Sequence, residues 1–150
     1  MNNISMTGSQ RKFIHAKRVA RLSTVDRNGR PHVIPICFVI DRWSNILTAI
    51  DSKPKRVDDM HLKRVRNISR NPYVAIVFDT YQENWDKLCF LLIHGKAELL
   101  DDGIAKKEAV CLLRDKYVQY KEYLNEHAPI LRIVPDKITS WGDLGGVEIF

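Results

Sequence analysis

Asn28-Gly29 sits between two apolar, β-branched runs, residues 19–25 and 31–40. Both residue types tolerate left-handed backbone, so the dipeptide reads as the tip of a β-hairpin. Further strand-length runs follow. A polar turn at residues 41–45 leads to a third strand at 46–50. A fourth is expected at 73–78, a long fifth at 88–100 and a sixth at 130–141, the last bulged around Pro135-Asp136. Pro35 interrupts the second run. A proline cannot donate to a ladder, so that stretch suits an edge, a bulge or a ligand-facing segment. Helical patterns fill the gaps. A short helix is expected over residues 9–16 with Ser9 as N-cap, and a basic helix closes near Asn71-Pro72. An amphipathic helix over residues 101–124 would turn Ala105, Ala109, Leu112, Leu113, Val118 and Leu124 inward. The order β-β-β-α-β-β-α-β predicts a mainly β chain, a six-stranded antiparallel barrel with flanking helices. At 150 residues one domain, residues 1–150, is the natural division.

Charge is concentrated in one place. Residues 53–70, KPKRVDDMHLKRVRNISR, hold seven basic and two acidic residues, and so +5 of the net charge of +6. A cationic helix opening just after a strand offers backbone N–H groups, a positive dipole end and side-chain cations to a phosphate. A solvated helix face explains charge alone equally well. The pattern adds something. On a helix Val57, Met60, Val65 and Ile68 share one broad face, while Arg56, Lys63, Arg66 and Arg70 lie opposite. Arg64 falls among the apolar residues, where a guanidinium requires an anionic partner, either a carboxylate of the chain or a ligand phosphate. Asp58 and Asp59 suit the helix N-terminus electrostatically.

Other classes are narrowed by what the sequence carries. The first twelve residues have no apolar core of the signal-peptide kind, and no apolar run approaches a membrane span, which points to the cytoplasm. Cys37, Cys89 and Cys111 are odd in number and far apart, so buried free thiols are expected. His15, His32, His61, His94 and His127 lack metal-ligand spacing, and each suits ordinary surface or core duty better than catalysis. A pI near 9.3 permits nucleic-acid binding. No aromatic-interleaved motif accompanies the basic segment, however, so a small anion fits it better than a polymer. Trp43 is expected to pack beside its turn.

The order and spacing of several short motifs resemble the pyridoxamine 5′-phosphate oxidase-like split-barrel family. They are Leu22-Ser-Thr-Val-Asp26 followed by Gly29-Arg-Pro31; Pro35 before Phe38; Leu47-Thr-Ala49; Lys63-Arg-Val-Arg-Asn67; Asn71-Pro72-Tyr-Val74; Gly95-Lys-Ala97; and the stretch from Arg132 to Trp141. The resemblance spans nearly the whole chain. Asp51-Ser-Lys-Pro-Lys55, Leu62-Lys-Arg-Val-Arg-Asn-Ile68 and Asn84-Trp-Asp-Lys-Leu88 resemble the coenzyme F-420-dependent branch in particular. The resemblance implies an FMN-binding type of split barrel. It implies a homodimer with FMN or F-420 held in two interface clefts, and hydride transfer to or from a small organic substrate. Lys55, Lys63, Arg64 and Asn67 would then hold the cofactor phosphate. Val33, Ile34 and Pro35 would lie along the ring, with Thr48 and Ala49 close by, and Trp85 or Trp141 would close the cleft. True pyridoxamine phosphate oxidases carry a basic pair on the second strand and an arginine-rich C-terminal segment. This chain has neither, which argues against vitamin oxidation. A non-catalytic carrier or sensor of the same cofactor is the alternative, and a basic nucleic-acid-binding protein the more remote one.

Overall fold

The computed structural model describes residues 4–50, 63–100 and 103–145. The chain runs α1 (Gly8–Ala16), β1 (Ala20–Val25), β2 (Pro31–Ile36), β3 (Val39–Ile40), β4 (Ile46–Ala49), α2 (Lys63–Arg70), β5 (Tyr73–Thr80) and β6 (Cys89–Leu99). It ends with α3 (Ile104–Lys116), α4 (Tyr120–Tyr123) and β7 (Ile130–Gly142). A single 3-10 turn, Trp85–Lys87, tips the β5–β6 hairpin. All strand pairs are antiparallel, in the order β2-β1-β5-β6-β7-β4-β3. None of the described helices is long and apolar enough to cross a membrane.

The expected second strand is therefore two, giving seven strands where six were expected. β2 lies at one edge of the sheet and β3 at the other. Only Cys37 and Phe38 join them, and three residue steps reach at most about 11 Å. The sheet must curl until its edges nearly meet, which makes it a split barrel. The corner is pinned by Tyr117, whose hydroxyl accepts from Phe38 N–H (3.0 Å) and lies 3.0 Å from the Phe38 carbonyl and 2.9 Å from that of Arg18. Thr48 closes the other side, its hydroxyl donating to the Cys37 carbonyl at 2.7 Å.

Two turns share one design. Asp26 N–H donates to Arg30 O and Gly29 N–H to Asp26 O, each at 3.0 Å. Asp41 repeats this with Asn45 and Ser44. In both turns the aspartate side chain accepts two further backbone N–H groups. Left-handed backbone is confined to Gly29 in the first turn and Ser44 in the second. The first hairpin is thus a three-residue loop with glycine at the left-handed position, and Asn28 keeps an ordinary φ.

Other expectations need correction. The cap of α1 is Thr7, because Gln10 three residues on returns its hydrogen bond in a capping box. The long helix after β6 is broken into α3 and α4, and its buried side is Lys106, Ala109, Val110, Leu113, Tyr120 and Leu124. Ala105, Leu112 and Val118 are exposed. The packing of Ala109, Val110 and Leu113 against the core residues of β3, β4 and β7 sets that phase. Of the three thiols only Cys89 is buried; Cys37 is half-buried at the corner and Cys111 is exposed on the outer side of α3.

The larger core fills the barrel with Leu22, Phe38, Ile76, Phe78, Leu91 and Ile93 among others. The opposite face of β1, β5 and β6 is not covered by the described residues. There Val33, Ala75, Val77, Leu92, Phe90 and Trp141 form a discontinuous apolar surface, with Val33 60% and Trp141 55% exposed.

Candidate functional site

α2 brings the basic segment against the sheet. Val65 and Ile68 are buried, while Lys63, Arg66 and Arg70 point outward. Arg64 is half-buried on the apolar side, as its place in the sequence suggested. Asn67 is buried, and its amide donates to Thr24 Oγ1 at 2.9 Å, fixing α2 to β1. Lys63 Nζ lies 3.7 Å from Asp26 Oδ2. The Arg30 N–H hydrogen bond, with the Lys63 and Arg30 charges behind it, holds the Asp26 carboxyl below the usual carboxylate range. The cations of α2 thus stand beside the β1–β2 turn. Lys55 lies outside the described residues.

β2 is the edge the sequence suggested at Pro35. Among the described residues its backbone has no partner on its outer side, since the sheet ends there. Val33 and Pro35 point out and Ile34 packs on the core. Thr48 and Ala49 are 2% and 3% exposed, so their side chains are occupied inside the protein. Thr48 nevertheless meets the end of β2 through its bond to Cys37. One structural element therefore carries Lys63, Arg64 and Asn67, and a second presents Val33 and Pro35 while Ile34 turns to the core.

The tryptophans stand elsewhere. Trp85, 70% exposed, sits on the tip of the β5–β6 hairpin. Trp141 stacks on Phe90, with ring centroids 6.0 Å apart and planes 20° apart. Phe90 pairs with Asp79 near the end of β5, whereas the β1–β2 turn adjoins its start at Tyr73. Between those ends lies the length of β5, about 24 Å for eight residues. Within one chain the tryptophans and the α2 cations do not share a site. Asp26 and the outward residues Val77, Leu92 and Phe90 were not singled out in the sequence. The signal was present, since β5 and β6 are apolar at both odd and even positions, the mark of strands covered on both faces.

A curled antiparallel seven-stranded sheet whose two edges are joined by two residues defines the split-barrel class of fold. The family profile described as pyridoxamine 5′-phosphate oxidase matches residues 6–142, and the chain belongs to that family. A 5a,11a-dehydrotetracycline/5a,11a-dehydrooxytetracycline reductase of Streptomyces rimosus subsp. rimosus is 27% identical over 139 residues, 91% of this chain and 82% of the relative. The fold is similar to that of a conserved hypothetical protein of Mycobacterium tuberculosis (TM-score 0.72, 19% identity, 95% of this chain and 88% of the other). It is also similar to a FAD-binding protein of Mesorhizobium loti (TM-score 0.65, 19% identity, 86% and 87%).

Proposed function

We propose that the protein is an oxidoreductase that binds FMN or the deazaflavin F-420 at a homodimer interface and passes hydride between it and a small organic substrate. The carrying observation is the pairing of the Lys63–Arg64 cations with β2, an unpaired edge among the described residues, and the apolar face beside it. The residues present fit such a group. Two cations on a helix suit a phosphate, free edge amides and carbonyls suit the hydrogen-bonding rim of a ring, and Val33 and Pro35 suit its flat body. Asn67, held by Thr24, positions α2 rather than reaching outward. Lys55 is assigned to the same phosphate.

When bound, the cofactor supplies the hydride chemistry. The chain contributes binding, orientation and dryness. Arg64 and Lys63 anchor the phosphate, β2 sets the ring's tilt, and Trp85 or Trp141 of a second copy covers it. No side-chain acid or base is assigned. The relative's reductase activity is consistent with this reading, and no substrate is carried over from it.

The test is a parallel titration with FMN and F-420, followed by ring fluorescence, and then turnover of the reduced cofactor with an acceptor panel. Saturable binding of one cofactor with turnover is expected. Binding without turnover would make the protein a carrier or sensor, and binding of neither would overturn the proposal.

A further inference from the structure

A cavity lies at the other end of the β5–β6 pair from Lys63. It is a groove of about 1040 Å³ between α1, the end of the β5–β6 hairpin and the stretch after β7. Ser9, Lys12, Phe13 and Ala16 line it from one face of α1, at three- and four-residue steps. Phe13 and Cys89 are buried and Leu144 half-buried, so the floor is apolar. The rim is cationic. Among the described residues, Lys12, Lys17 and Lys87 border the groove against one carboxylate, Asp143, whose Oδ1 already accepts the Gly145 N–H at 2.9 Å. Lys17 is held in place: it donates to Thr80 Oγ1 and lies 4.7 Å from the Phe13 ring centroid. Among the described residues neither Lys12 nor Lys87 forms an ion pair, and both are exposed.

We infer that this groove binds a small amphipathic carboxylate, its aromatic or aliphatic body on Phe13, Cys89 and Leu144 and its carboxylate at Lys12 and Lys87. An apolar floor alone would take a neutral ligand, and lysines alone would take any anion weakly. The combination selects a molecule with both parts. Within one chain the groove stands apart from the α2 cations, since Thr80 and Cys89 lie at the opposite end of the β5–β6 pair from Tyr73.

The probe is 2-naphthoate, titrated into the full chain and followed by amide chemical shifts. Saturable shifts at Phe13, Thr80, Cys89 and Leu144 are expected. Neutral 2-naphthalenemethanol and inorganic phosphate should each bind at least about tenfold more weakly, the change expected for one lost charge-assisted hydrogen bond. The double variant Lys12→Gln/Lys87→Gln should lose a similar factor, and Lys12→Arg/Lys87→Arg should keep affinity. The titrations are run on protein without added FMN or F-420, so their outcome does not depend on the cofactor site. Shifts confined to other residues, equal affinity for the neutral analogue, or an unchanged double variant would overturn the inference.

Discussion

The Lys116 ammonium lies 3.9 Å from the Phe38 ring centroid and 5.4 Å from that of Tyr117, buried and without a hydrogen-bond partner. Burial, reinforced by the Arg18 charge, lowers its pKa to about 8. Burial raises the neighbouring Tyr117 hydroxyl to about 12. The signs follow from which state binds more protons. Between about pH 8 and the ordinary lysine value the unfolded chain is the more protonated at Lys116, so stability should rise. From about pH 10 to 12 the unfolded tyrosine ionises first, so stability should fall. Urea midpoints across pH 7–12 should pass through a maximum near pH 10. Lys116→Met should raise the pH 7 midpoint and flatten the rise between pH 8 and 10. A midpoint that falls steadily from pH 8 would refute this reading of the corner. Arg64 poses a different problem, a half-buried guanidinium whose worth in the proposed site is binding. Arg64→Ala should weaken FMN or F-420 affinity by about 1–3 kcal/mol, the scale of a charge-assisted contact, as measured by fluorescence titration. Unchanged affinity with lower stability would make Arg64 a structural ion-pair residue instead.

At the scale of elements, the bulge in β7 depends on one glycine. His94 pairs with Lys137 and Gly95 with Pro135, which leaves Asp136 as the extra residue. A Cβ on Gly95 would lie 2.4 Å from the Val134 carbonyl oxygen, backbone that cannot swing aside. Gly95→Ala should cost about 1–3 kcal/mol by overpacking, read by urea denaturation; a cost near zero would mean that β7 slides freely at the bulge. The bulge itself was legible from Pro135-Asp136, as were the strands, whose apolar runs carry their own period. What was hidden depends on distant partners. The run from Pro31 to Ile40 reads as one strand, and bonds from distant residues, Tyr117 to Phe38 and Thr48 to Cys37, hold the corner that makes it two. The face of α3 was misjudged at Ala105, Leu112 and Val118, which stay exposed because the core residues of β3, β4 and β7 meet Ala109, Val110 and Leu113 instead. The cap at Thr7 was readable in Thr7-x-x-Gln10, and only the choice of Ser9 concealed it. In the candidate site, Lys63 and Arg64 could be read from charge and helical phase. The hydrogen bond between Asn67 and Thr24 could not, since nothing local links residues so far apart.

For the whole molecule, the proposed cleft requires groups that stand far apart in one chain to meet across two. The α2 cations flank the start of β5, and Trp85 and Trp141 stand at its far end. A two-fold dimer through the open face would lay each copy's tryptophan end over the other's α2. Leu92 lies on that face, away from the core, so Leu92→Asp should leave the fold intact and give a monomer by light scattering; a persisting dimer would move the interface elsewhere. A stricter consequence concerns shared clefts. One protein carries Arg64→Ala and another carries Trp85→Ala/Trp141→Ala, each with weak cofactor binding on its own. When the two are unfolded and refolded together, about half of the dimers should be mixed, each with one cleft built from the intact arginine and the intact tryptophans. Tight binding should then return to about a quarter of the clefts. If both halves of a cleft came from one chain, mixing would restore none, because no subunit in the mixture holds both. The fraction of tight sites in a stoichiometric titration therefore measures the architecture directly, and recovery near zero would rule out the cross-subunit cleft even if the protein is a dimer that binds flavin.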